Sequence, residues 1–142
     1  VDTPAATTIL GASATGEVGS YGVVLPKGLY IKEVEITTES AFTVSGGTLN
    51  SAQLVIGLIR EDRTTELDYD GISTTSLTGA QFAAARSRNL LVLGATGVGA
   101  LVGTTLANDG IVTVSNPTQA TNVLNAGRAI VRIIGYFPYT AA

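Results

Sequence analysis

The chain has 142 residues, a length that suits one domain and buries roughly 70% of the unfolded surface. Charged residues make up 13% of the chain and the net charge is −3, whereas an ordinary globular chain is about 25% charged. The absence of His and Cys excludes Ser-His-Asp and Cys-His triads and most zinc sites. Without a basic stripe or a membrane-length apolar run, we expect neither nucleic acid nor a membrane as partner.

The first eight residues, VDTPAATT, are small, polar and interrupted by proline. This pattern is typical of an extended arm, so we divide the chain into an N-terminal arm over 1–8 and one domain over 9–142. The stretch LPKGLY then predicts a β-turn with Pro26 at its second position and Gly28 at its fourth.

Alternating apolar and acidic residues predict a half-buried strand over 29–38. Lys32 falls on the apolar side of that alternation, which indicates a bulge or a strand edge at this position. Gly46 and Gly47 can turn the chain towards a second strand. That strand, over 53–60, is apolar on both faces, and we therefore expect it to be central and covered on both sides.

The segment EDRTTELDYDG, residues 61–71, is predicted to be an exposed charged loop. Glu66, Asp68 and Asp70, followed by Gly71, have the spacing that opens an EF-hand loop, but Leu77 stands where the bidentate Glu belongs. An EF-hand is thus excluded, while a looser calcium site stays an open alternative to a solvated loop.

Residues 75–88, TSLTGAQFAAARSR, form the one helix candidate, with Ser76 or Thr78 as its cap. Strands are expected over 89–93, 111–114 and 128–137, and in the last of them Ala129, Val131 and Ile133 oppose Ile130, Arg132 and Ile134.

The stretch GATGVGA, which follows the strand over 89–93, has the spacing of a dinucleotide-binding loop. Three features oppose that function: the following helix would be poor in helix formers, no carboxylate ends the next strand, and the rest of the chain is not βαβ. We favour a glycine-rich loop or interface contact. The segment between Asn89 and Gly127 holds a single charged residue, Asp109, and is either an interface or buried core with polar loops.

Short strands separated by turn signals predict an all-β fold, a single-domain antiparallel β-sandwich or jelly roll with one short helix. The chain contains no His or Cys, and the dinucleotide and EF-hand patterns both fail. We therefore expect no enzyme activity, no cofactor and no catalytic or metal site. Our candidate contact residues are the start of the arm and the glycines of the loop: Val1, Asp2, Thr3, Pro4, Gly94, Gly97, Gly99 and Gly103.

The order of VVLPKGLYIKEVEITTESAF, AQLVIGLI and NAGRAIVRIIGYF along the chain resembles the small β-sandwich structural proteins of tailed bacteriophages, in particular capsid decoration (cement) proteins. The resemblance spans most of the chain, from Val23 to Phe137. It implies a non-enzymatic, often trimeric protein on the outer surface of an icosahedral virion, bound to the major capsid protein and in some members gripping it with an N-terminal arm. The resemblance assigns no role to the segment 75–88 or to the glycine loop.

A second hypothesis is a carbohydrate- or receptor-binding β-domain of a phage tail fibre or a secreted protein. Sugar-stacking platforms would have to come from tyrosines, since Trp is absent: Tyr21, Tyr30, Tyr69, Tyr136 and Tyr139.

Overall fold

The structure, a computed structural model, describes residues 19–59, 66–74, 78–116, 121–122 and 124–139. It holds seven strands: β1 (Gly19–Leu25), β2 (Tyr30–Val44), β3 (Val55–Ile59), β4 (Glu66–Ser73), β5 (Arg88–Val92), β6 (Gly110–Ser115) and β7 (Leu124–Tyr136). The arm over 1–8, and with it Val1, Asp2, Thr3 and Pro4, lies outside the described residues.

Two antiparallel sheets contain these strands, one with the order β1-β6-β3-β4 and the other with the order β5-β2-β7. The predicted all-β, sandwich-like fold is confirmed. The core between the sheets is aliphatic, and β2 contributes Val34 and Ile36 to it while β3 contributes Ile56 and Leu58. Because side chains alternate along a strand, the residues between these core positions in β2 must point away from the core.

Of the two alternatives expected at Lys32, a bulge or a strand edge, the structure has the bulge, because the pairing of β2 with β7 shifts register between Ile31 and Glu33. Ile31 and Val34 are both fully buried, although residues three positions apart in a regular strand point to opposite sides. Lys32, between them, is exposed. One extra residue thus returns the apolar side chains to the core and leaves the lysine in solvent.

The turn before β2 lies one residue later than predicted. Leu29 N–H donates to the carbonyl of Pro26 at 3.2 Å, and Gly28 has φ +87°. Pro26 is therefore the first and Gly28 the third residue of the turn, where a positive φ favours glycine.

The glycines at 46 and 47 precede a short 3-10 turn, Leu49–Ser51, and the chain then passes to the other sheet. They start a crossover between layers, not a hairpin. The expected central strand is confirmed as β3, which lies between β6 and β4 and is buried from Leu54 to Leu58 on both alternating sides.

The helix predicted over 75–88 is wrong for the residues that the structure describes there, 78–88. They form only a 3-10 turn, Gly79–Phe82, with Thr78 and Gln81 in a capping box. Phe82 is buried against Phe42, with ring centroids 5.5 Å apart, but residues 83–86 are exposed and give a helix no apolar face. Backbone pairing with Thr38 then draws Arg86 into a left-handed conformation at φ +69°.

The loop predicted over 61–71 is wrong from Glu66 onward, because those residues belong to β4. Asp68 pairs with Leu58, and the register then shifts before Ser73 pairs with Ile56. The Ser73 hydroxyl is buried there, accepts a hydrogen bond from Ile56 N–H at 2.8 Å and donates one to the Leu54 carbonyl at 3.3 Å. The bulged strand is therefore held to β3 by a side chain as well as by the backbone.

A linking segment, residues 97–106, joins the two sheets through its backbone. Its first part bonds the end of β4: Thr74 N–H donates to Gly97 O, Gly99 N–H to Ile72 O and Leu101 N–H to Gly71 O, at 2.8–2.9 Å. Its second part bonds the start of β2 and the preceding turn, with four hydrogen bonds of 2.7–3.0 Å between 103–106 and 28–31. The glycine-rich stretch is thus an irregular strand-like bridge between the layers.

Gly99 allows this bridge because a side chain there would collide with the backbone of β4. A Cβ at Gly99 would lie 2.2 Å from the carbonyl carbon and oxygen of Gly71, whereas a Cβ at Gly94 would meet nothing within 4 Å. Gly94 has a positive φ of +87°, so alanine there meets conformational strain without collision.

We expect Gly99→Ala to destabilise the protein by about 3 kcal/mol, because the linking segment must move away from β4. Gly94→Ala is the matched control and should cost only about 1 kcal/mol, the cost of a left-handed alanine. Urea unfolding followed by circular dichroism measures both changes. Equal losses in the two variants would contradict the role of the linking segment.

Candidate interaction surface

The side of the three-stranded sheet that faces away from the core carries the most varied chemistry in the described residues. We call it the outer face. Strand register places side chains from all three strands in rows across it; its members are Tyr30, Glu33, Glu35, Thr37, Arg88, Leu90, Val92, Ile130, Arg132, Ile134 and Tyr136, with Lys32, Glu39 and Arg128 at its ends.

Glu35 lies at the centre of the outer face, between two arginines. Arg88 Nε donates to Glu35 Oε2 at 2.8 Å, Arg132 Nη1 contacts Oε1 at 3.1 Å, and the Thr37 hydroxyl donates to Oε1 at 3.3 Å. The Glu35 side chain is 13% exposed, whereas both arginines are more than 60% exposed. One shielded carboxylate therefore orients two guanidinium groups that still face solvent.

The hydrogen bond from Arg88 holds the pKa of the Glu35 carboxyl below its ordinary value of 4.5, against an opposing effect of partial burial. The positive charges of Arg88 and Arg132 and the hydrogen bond from Thr37 lower this pKa further. The ionised carboxylate is thus the form that the folded sheet favours.

Apolar side chains surround this ionic cluster. Leu90 and Ile130 are each 45% exposed and Tyr136 is 51% exposed. Ile130 lies between Arg128 and Arg132 on the same side of β7, and Arg128 forms its own ion pair with Glu39 at 3.0 Å. A surface that mixes exposed aliphatic and aromatic groups with arginines has the composition of a protein interface.

An aromatic cluster stands where β2 begins and β7 ends. The rings of Tyr30 and Tyr136 have centroids 5.0 Å apart, and these two residues are partners in the sheet. Phe137 lies beside Gly28, and Tyr139 is almost fully exposed. Tyr69, another tyrosine considered for sugar stacking, belongs to the other sheet.

The four loop glycines differ in their exposure to solvent. Gly97 and Gly99 are buried within the chain, Gly103 is half-buried against Leu93, and Gly94 is exposed. Contacts inside the chain account for the glycine requirement at Gly99. Sequence reasoning placed the candidate contact in this loop and missed the outer face, although the alternation of Ile130, Arg132 and Ile134 carried its signal.

The topology at the glycine stretch differs from the strand–loop–helix arrangement of a dinucleotide loop. The strands on either side of the glycine stretch, β5 and β6, lie in different sheets and are not parallel neighbours. Residues 93–109 are all described and contain no helix, so no helix N-terminus faces a phosphate site there.

The acidic residues of β4 do not form a metal cluster with other described groups. Among the described residues no set of three or more carboxylates is placed to hold a metal ion. The part of the chain that the structure describes likewise contains no helix long and apolar enough to cross a membrane.

Comparison with family models, curated proteins and solved structures found no match to this chain.

We expect Glu35→Gln to reduce stability more at pH 7 than at pH 3. Because the folded-state pKa is lowered, the ionised carboxylate stabilises the fold above pH 4.5, and this stabilisation is lost as pH falls through the folded-state pKa. Guanidinium unfolding of both proteins at each pH measures the difference. A gap between the two proteins that is the same at both pH values would show that Glu35 ionisation does not stabilise the sheet.

Proposed function

We propose that the chain is a non-enzymatic structural protein of a tailed-phage virion that decorates the outside of an icosahedral head as an oligomer, most simply a homotrimer, and stabilises it. Its partners are then the major capsid protein and other copies of itself. The observation that carries the proposal is the outer face, an exposed mixture of apolar side chains and internally paired ions on a three-stranded sheet.

The ion pairs of the outer face suit it to burial against protein. Glu35 and Glu39 already form ion pairs with arginines of the same chain. A partner therefore need not supply a positive charge to either carboxylate. The aliphatic groups Leu90 and Ile130 can then lose their solvent contact with a favourable transfer free energy, about 25 cal/mol per Å² of apolar surface. Tyr and Arg are also the residue types that contribute most at interface centres.

The rest of the architecture supports an association role. The linking segment hydrogen-bonds to both sheets, and the sequence lacks the His and Cys of Ser-His-Asp and Cys-His triads and of most zinc sites. A decoration protein stabilises a shell through mass action, because it binds the assembled lattice and not the separated subunits.

The test adds the purified protein to phage heads that lack it and follows shell melting by scanning calorimetry. We expect saturable binding at a fixed ratio to the capsid protein. Stabilisation should grow with free concentration and reach about 2.7 kcal/mol per site at 100 times the dissociation constant. A protein of equal net charge serves as control. Heads that neither bind the chain nor melt later would contradict the function.

The paired rings of Tyr30 and Tyr136 favour one second candidate, a carbohydrate-binding domain. Stacked or tilted aromatic rings offer apolar faces on which a sugar ring can lie, and Lys32 and Glu33 stand beside Tyr30 as polar partners. Titration with oligosaccharides, followed by tyrosine fluorescence, tests it. Saturable quenching in the parent chain that is lost in Tyr136→Ala would favour this candidate over the first.

A further inference from the structure

We propose that the outer face of one copy binds the cavity side of a second copy, head to tail, with Ile130 entering an apolar cavity that lies beside Asp68. This inference deepens the oligomeric part of the proposed function and rests on it, but it does not depend on the identity of the shell. The two surfaces share no residue, so each copy can donate one and accept the other.

The cavity has a volume of about 120 Å³ and a predominantly apolar lining that includes Leu67, Leu101 and Leu106. It is partly open, and Ala107 is an exposed member of its lining. An apolar cavity of roughly 150 Å³ accepts benzene, so this space suits one branched aliphatic side chain. The linking segment supplies Leu101 and Leu106 and thereby forms one wall.

One carboxylate lines the cavity, and two more belong to residues close to its lining in the chain. Asp68 lines it, Asp109 follows the lining residue Asn108 in the chain, and Asp70 precedes Gly71, whose Cβ position lies 2.5 Å from a methyl group of Leu101. Among the described residues, Lys27 is the basic residue that lies next to this group, since its backbone N–H donates to Asp109 at 2.6 Å. The described residues at this place thus include three carboxylates and one lysine.

The outer face has the opposite balance. With its ends it carries four basic and three acidic residues, a formal charge of +1, whereas the whole chain carries −3. Charge complementarity of this kind directs one surface towards the other and suppresses the wrong pairing.

Ile130 is the apolar group best placed to enter the cavity. It is 45% exposed and stands on β7 between Arg128 and Arg132. An aliphatic side chain with a guanidinium on each side matches an apolar cavity with carboxylates in and near its lining. Burial of the isoleucine would stabilise the contact while the arginines approach Asp68 and Asp109.

Face-to-face pairing of two outer faces lacks this match. It would bring two net-positive surfaces together, with three exposed arginines on each. A head-to-tail contact uses two different patches, and such contacts close into rings when the rotation between copies permits. The smallest closed ring with more than two copies is a trimer, which is the oligomer that we propose.

Two single variants disable one surface each. Ile130→Asp removes the apolar group from the outer face, and Ala107→Arg places a large charged side chain in the lining of the cavity. Both positions are exposed, so the fold should tolerate the changes, and thermal unfolding checks that it does. Val24→Asp is the matched control: Val24 on β1 is 47% exposed and belongs to neither surface.

Native mass spectrometry and sedimentation measure the outcome. We expect the parent chain and Val24→Asp to form the same closed oligomer, and each of the two surface variants to be monomeric at the same concentration. An equimolar mixture of the two variants should give a heterodimer and nothing larger, because only one productive junction can form between them.

The proposal is overturned if the parent chain is monomeric, if Ala107→Arg leaves the oligomer intact, or if the mixed variants form no heterodimer. These results are distinct from failure of the proposed function. A monomer that still stabilises heads sinks this contact alone, whereas a ring built on the contact that never binds heads sinks the decoration role alone.

Discussion

The arrangement of this protein depends on the backbone hydrogen bonds of the linking segment, residues 97–106. Apolar packing alone would let two small sheets slide, because burial is not directional. The linking segment fixes their relation by bonding the end of β4 with one half and the start of β2 with the other. It can approach β4 closely only because Gly99 has no side chain to collide with Gly71. The residues that suggested a phosphate-binding loop therefore serve the geometry of the sandwich.

The outer face and the cavity both follow from that constraint. Once the start of β2 is fixed, the bulge at Lys32 sets which side of the strand is buried, and Glu35 must then face away from the core. The same linking segment places Leu101 and Leu106 at the wall of the cavity. One chain thus presents a partly apolar sheet surface with arginines and an apolar cavity beside Asp68, the two surfaces on which our proposed self-association rests.

Sequence reasoning succeeded where a strand has one buried side and failed where local preference met tertiary pairing. The alternation around Val34 and Ile36 was sufficient to predict the first part of β2 and to mark Lys32 as a bulge or a strand edge. The alanine-rich segment after Phe82 has good helix formers, but it exposes residues 83–86 and is drawn into pairing with Thr38. Glu66 to Asp70 has the charges of a loop, yet pairing with β3 and the contact with the linking segment make it a strand. The sequence predicted the alternation of side chains in β7, which forms part of the candidate site. It did not predict that Leu90 and Glu35 lie on the same face as those side chains, because these residues come from distant parts of the chain.

The sequence by itself determined the all-β class, the positions of most strands and the burial of the strands that became β2 and β3, because these depend on the two-residue period of the extended backbone and on local turn chemistry. It also determined that the chain lacks the side chains for triad chemistry. Only the tertiary structure decided which strands are neighbours, that the glycine stretch bridges two sheets, and that Arg88 and Arg132 share one carboxylate. Those features depend on contacts between residues tens of positions apart, and no local pattern specifies which of many possible strand pairings satisfies the core and the backbone hydrogen bonds together.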